Sequence, residues 1–173
     1  LLASSAHVAL DRGLRVVFSG SFLPGSAGER LLSGRVEAPS PAHLADAFLG
    51  SLTMGVGQFC TNPGLVFGLQ SDDLKTFVEK TSSLVKAWAP SSMLHGGICA
   101  SFNSGVDRIG KVKGVELIAK SDAPAKSDAA QASAVLYSTD AATFEANETL
   151  KEEVFGPASV VTHCGSTEEL ERI

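Results

Sequence analysis

Cys60 stands on a turn that could present a thiol to solvent. The stretch Gly57-Gln58-Phe59-Cys60-Thr61-Asn62-Pro63-Gly64 has glycine at both ends and a proline three residues past the sulfur. Glycines remove Cβ bulk, so another backbone can approach closely and turn N–H groups can face the thiol. A thiolate in such a place is a nucleophile for an electrophilic carbon. A lone cysteine is more often a small buried hydrophobe, so the rest of the chain must carry the case. Two further stretches have residue types suited to chemistry. Glu152-Glu153-Val154-Phe155-Gly156-Pro157 brings carboxylates and an aromatic ring close together in the sequence. Phe18-Ser19-Gly20-Ser21 closes an apolar run on small residues, where unpaired N–H groups can meet a phosphate.

These stretches need elements to hold them. Leu44, Phe48 and Leu52 recur every four residues with Ala45 and Leu49 beside them, which predicts a helix from His43 to Met54 introduced by Pro41. That helix delivers Cys60 at its C-terminal end. A helix C-terminus carries partial negative charge, so thiolate stabilisation must come from the loop's own N–H groups or a bound cation. Leu14 to Phe18, Leu65 to Leu69, Val115 to Ala119, Ala132 to Ser138 and Ser159 to Cys164 read as strands. Asp72 and Asp73 open a helix ending near Trp88, and Ile98 to Ile109 form another. Thr167 reads as the cap of a final helix, and Val8-Ala9-Leu10 as the end of a first one. Ser26 with Glu29 resembles a capping box, Ser121 to Asp128 an exposed hairpin or linker, and Asp140 to Phe144 a turn. Strands alternating with helices predict an α/β unit, with a mostly parallel sheet and flanking helices.

Composition excludes several classes. The chain has 173 residues, 44% hydrophobic and 19% charged, enough to bury a core. Its net charge is −5 and its sequence pI near 5.3, with basic residues scattered, so no nucleic-acid footprint is present. No apolar run reaches membrane-spanning length. Cys60, Cys99 and Cys164 are odd in number and widely spaced, which argues against a disulfide framework or zinc site and for a reducing, cytoplasmic compartment. Cys99 and Cys164 sit in helical and strand patterns and read as core. His95 and His163 read as structural or surface residues. The chain does not begin with Met and ends on a charged helical pattern, as a piece of a longer protein would.

Taken together, the Cys60 and Glu152–Pro157 stretches resemble the two signature motifs of the aldehyde dehydrogenase superfamily, in the family's order. Phe18-Ser19-Gly20-Ser21 is similar to the family's Phe-Thr/Ser-Gly-Ser turn. The wording Phe59-Cys60-Thr61-Asn62-Pro63-Gly64, with Thr139 to Phe144 upstream of the second motif, is most like the α-ketoglutarate semialdehyde and fatty aldehyde branch. The resemblance implies a catalytic-domain-like fold over residues 33–173, incomplete at its C-terminus, with residues 1–32 a remnant of a dinucleotide-binding domain. It implies that Cys60 attacks an aldehyde, that the Cys60 N–H helps hold the oxyanion, and that hydride passes to NAD or NADP. By the same resemblance Glu153 contacts the nicotinamide ribose hydroxyls, Phe155 packs beside that ribose and ring, and Ser21 lies near the pyrophosphate. No metal is implied.

The family pattern also breaks. Its general base is a glutamate on a strand between the Phe-Ser-Gly-Ser turn and the nucleophile. Here that interval is short, and its glutamates, Glu29 and Glu37, lack the family context, so no base is assigned. Loss of the strand would leave backbone pairing groups exposed. Family members are homo-oligomers, but the oligomerisation strand falls outside this chain. The expectation is an aldehyde-oxidising enzyme in truncated form, weakly active or inactive. The alternatives are a non-catalytic remnant that binds a partner, or a thioester-forming enzyme that passes its acyl group to a thiol.

Overall fold

A computed structural model describes the backbone of residues 5–9 and 15–19 and the whole of residues 40–173. Among the described residues, strands β1 (Ser5–Ala9), β2 (Arg15–Ser19), β3 (Leu65–Leu69), β5 (Glu116–Lys120), β7 (Val135–Asp140) and β8 (Ala158–Cys164) form one sheet in the order β1-β2-β3-β8-β7-β5. The short strands β4 (Ser91–Ser92) and β6 (Gln131–Ala132) pair separately. The three central strands run parallel, β3 with β8 and β8 with β7. The flanks are antiparallel: β5 on β7, and β2 on β3 with β1 outside it. The expected α/β sheet with flanking helices is thus present, its parallel character concentrated in the middle. The antiparallel β2 lies along β3 and pairs the edge that the short Ser21–Cys60 interval would have left open.

Local sequence explains the helices. Ser40 accepts from the N–H of His43 and Pro41 fills the first turn, so α1 (Pro41–Thr53) starts where its backbone donors are satisfied. Ser71 does the same for α2 (Asp72–Ala87), whose opening Asp72 and Asp73 complement the helix dipole. His95 caps α3 (Gly96–Gly110), its Nδ1 accepting from Gly97 and Ile98, a structural role as expected. Three local readings are corrected. Val8 and Ala9 belong to strand β1, because pairing with β2 outweighs the weak local preference of so short a segment. Ala141–Ala146 is a short helix, α4, because the Asp140 carboxylate accepts from the N–H of Thr143. Ser166, not Thr167, caps α5 (Thr167–Arg172). The expected boundary between residues 32 and 33 and the Ser26–Glu29 box lie outside the described residues.

The sheet has a core on each face. Period-two alternation sends Val66, Leu136 and Val161 to one side, where Leu44 and Phe48 of α1 and Leu74, Phe77 and Val85 of α2 cover them. The Phe48 and Phe77 rings meet edge to face at 5.5 Å. Val135, Tyr137, Ala158 and Val160 face the other side, under Cys99, Phe102 and Ile109 of α3 and Phe144 of α4. Tyr137 satisfies its buried hydroxyl by donating to the carbonyl of Val106 at 3.0 Å. Cys99 and Cys164 are buried in these layers, as their patterns implied. Phe77→Ala removes the ring at the centre of the α1–α2 contact and is expected to reduce unfolding free energy by about 3–5 kcal/mol in chemical denaturation.

Candidate active site

The register of β3 and β8 decides what meets at the site. Leu65 pairs with Val160, so the two parallel strands begin at the same end of the sheet. The Cys60 turn leads into β3 and the Glu152–Pro157 stretch leads into β8. Two motifs far apart in sequence therefore enter the fold side by side. The entrance is pinned on both strands. Val160 N–H donates to Gly64 O at 3.0 Å, and the buried Ser159 hydroxyl donates to Pro63 O at 2.9 Å. Val135 N–H donates to Pro157 O at 2.9 Å, tying the second stretch to β7.

The turn itself is left-handed. Gly55, Val56 and Gly57 have φ of 54°, 59° and 67°. Glycine enters this region freely, while a β-branched valine there is strained by about 1–2 kcal/mol. The Val56 side chain packs against the core layer beneath α3, which holds the conformation. Gly57 is buried directly against the second motif. A Cβ on it would overlap the Gly156 carbonyl carbon and stand 2.5 Å from both Pro157 N and Asn62 Nδ2. Gly156 is equally tight: a Cβ there would run into the Phe102 ring of α3. The side-chain amide of Asn62 completes the junction, donating to Gly57 O at 2.8 Å and to Gly156 O at 2.7 Å. Gln58 ties the turn outward, donating to Gly55 O and accepting from the N–H of Leu94 at 2.9 Å.

Cys60 is exposed on this frame, between Phe59 and Thr61 of a turn closed by the Asn62 N–H donating to Phe59 O at 3.0 Å. Glu153 is exposed, and Phe155 keeps 38% of its surface open despite the buried Gly156-Pro157 that follows. The structure therefore brings the loops of Cys60, Glu153 and Phe155 together. Ser21, Glu29 and Glu37 lie outside the described residues. The other cysteines are chemically different. Burial, with Glu169 and Glu145 adding negative potential, pushes the Cys164 thiol up to about 11. Cys99 is buried and donates to Gln131 O. His163 bonds the Ser138 hydroxyl at 2.8 Å, and burial lowers its pKa, in keeping with a structural role. Two concavities of about 280 and 270 Å³ lie elsewhere, one lined by Cys99, Asn103 and Ser133, the other by Ser71, Lys75 and His163. No metal-holding cluster occurs among the described residues, and none of their helices is long and apolar enough to cross a membrane. The sequence motif contains Asn62 without marking a role for it. The signal was an amide-bearing residue inside a Gly-Pro turn, where such side chains bond nearby backbone.

Comparisons with known proteins bear on the family and the fold. No protein-family model matches the chain. It is 37% identical over 130 residues to alpha-ketoglutaric semialdehyde dehydrogenase 2 of Azospirillum brasilense, covering 75% of this chain and 24% of that protein. It is 34% identical over 119 residues to alpha-ketoglutaric semialdehyde dehydrogenase of Acinetobacter baylyi, covering 68% of this chain and 22% of that protein. The chain thus spans about a quarter of the length of the curated relatives it matches. An NAD+ complex of aldehyde dehydrogenase from Bacillus cereus superposes with a TM-score of 0.59 over 74% of this chain and 27% of that one, at 17% identity, a likeness of fold.

Two outcomes follow from the junction. Iodoacetamide should modify Cys60 in the folded chain well before Cys99 and Cys164, read by peptide mass spectrometry, with the three rates converging in denaturant. Gly57→Ala should lower stability by about 1–3 kcal/mol in a denaturant titration, since its Cβ meets backbone at a positive φ. A variant as stable as the parent would show that the contact is not tight in solution.

Proposed function

Because the chain belongs to the aldehyde dehydrogenase superfamily, we propose that it derives from an enzyme that oxidises an aldehyde to a carboxylic acid through a covalent bond to Cys60. The observation that carries this reading is the contact of Gly57 with Gly156 and Pro157. It joins the loop of the exposed Cys60 to the loop of the exposed Glu153 and Phe155, which supports the reading.

In this reading the Cys60 thiolate adds to the aldehyde carbon, and the carbonyl oxygen becomes an oxyanion beside the Cys60 N–H. A bound NAD or NADP would supply the hydride acceptor that lets the Cys60 adduct collapse to a thioester. A thioester remains on Cys60. Water cleaves it, releasing the acid and the thiol. The residues present fit a dinucleotide: the Glu153 carboxylate suits ribose hydroxyls, and the open face of Phe155 suits packing beside the ribose and ring. Ser21, which follows Gly20 in the sequence, is assigned to the pyrophosphate by the family resemblance. The names of the matched relatives support α-ketoglutarate semialdehyde as the substrate, the Bacillus cereus complex supports NAD, and the odd, widely spaced cysteines support a cytoplasmic compartment.

No residue is assigned as general base, so thioester cleavage is the impaired step and the chain alone is weakly active or inactive. The same gap favours a second reading, a non-catalytic remnant that retains the fold. The test is incubation with α-ketoglutarate semialdehyde and NAD or NADP, following reduced cofactor and intact mass. We expect an acyl adduct on Cys60, absent in Cys60→Ser, with reduced cofactor limited to about one equivalent per chain. Sustained turnover would overturn the impairment. No adduct, together with slow, equal labelling of all three cysteines, would favour the remnant.

A further inference from the structure

Asn62 does three things at one point. Its backbone N–H closes the turn that carries Cys60, donating to Phe59 O at 3.0 Å. Its side-chain nitrogen donates at 2.8 Å to the Gly57 carbonyl within the same loop. That nitrogen's second proton goes to the Gly156 carbonyl at 2.7 Å, 94 residues away in the stretch that carries Glu153 and Phe155. Its Oδ1 is buried with no partner. A buried acceptor without a donor lowers stability, so the oxygen does not account for an amide here, whereas the two donated bonds do.

We propose that Asn62 is a positioning residue, whose side-chain amide sets the distance between the Cys60 turn and the Glu153–Phe155 loop by holding the Gly57 and Gly156 carbonyls on one nitrogen. The task is specific to this side chain. Both carbonyls are acceptors, so they repel unless a group donates to both. Serine or threonine has one proton and aspartate has none. Glutamine carries the same nitrogen, but one methylene further out. Tight packing of Gly57 on Gly156 leaves no room for a longer arm unless the loops separate. The backbone bonds that anchor β3 and β8 begin only at Pro63 and Gly64, so they fix the strands; Gln58 ties the preceding turn to Leu94, and among the described hydrogen bonds it is Asn62 that ties that turn to the Gly156 loop.

This inference rests on the reading of Cys60 as nucleophile and of Glu153 and Phe155 as cofactor contacts, and the experiment separates the two. Spin labels are placed on Cys60 and on Glu153→Cys in the full 173-residue chain, and their distance distribution is measured by pulsed electron resonance, with circular dichroism as the check on folding. In the Asn62 chain the distribution is expected to be narrow. In Asn62→Ala and Asn62→Asp it should broaden by about twofold or more with the secondary structure retained, because nothing then bridges the two carbonyls. In Asn62→Gln, which retains the donor and so serves where the shorter variants unfold, the mean distance should lengthen while the distribution stays narrow. Distributions unchanged in width and mean across these variants would overturn the positioning role. The reading of Cys60 is judged separately, by iodoacetamide on the unsubstituted chain. Slow labelling there, equal to that of Cys99 and Cys164, would remove the nucleophile while leaving the Asn62 distances to be judged on their own.

Discussion

Two loops can share one site here because their backbones touch. Gly57 and Gly156 meet with no side chain between them, and the Asn62 amide bonds a carbonyl from each. Carbonyl oxygens brought together repel, and buried ones need donors. One nitrogen with two protons answers both requirements. The exposed positions of Cys60, Glu153 and Phe155 are consequences, since each lies on a segment whose ends are held and whose middle projects outward.

The sheet supplies the rigidity on which this junction stands. Its central strands are covered on both faces, by α1 and α2 on one side and α3 and α4 on the other. Layers packed on two faces allow little sliding, so the paired starts of β3 and β8 stay level. Strain is placed just outside that core, in the left-handed run from Gly55 to Gly57. The strain is tolerated because Val56 packs inward and Gln58 bonds on either side of it.

The same fold sorts the three cysteines by environment. Cys164 is enclosed in β8 with Glu169 and Glu145 nearby, and its thiolate is disfavoured on every count. Cys99 gives its proton to a backbone carbonyl inside the layer beneath α3. Cys60 alone of the three is exposed. Thiol exposure in this protein therefore follows position in the layers, which residue type cannot convey.

Much of this was legible in the chain itself. The stripe of Leu44, Phe48 and Leu52 announced α1, because its period places those side chains on one face, and short apolar runs announced the central strands, which are buried on both sides. The Cys60 stretch followed by the Glu153-Val154-Phe155-Gly156-Pro157 stretch marked the family, because the two resemble its signature motifs in its order. Short segments such as Val8-Ala9 and Ala141–Ala146 were not legible, because their conformation depends on a partner strand or a capping carboxylate. The junction was not legible either. Its signals are two glycines and an asparagine, common residues in any turn. Only the parallel register of β3 and β8 brings Gly57, Asn62 and Gly156 within hydrogen-bond reach, and register is set by packing over the whole sheet, which no single stretch of sequence encodes.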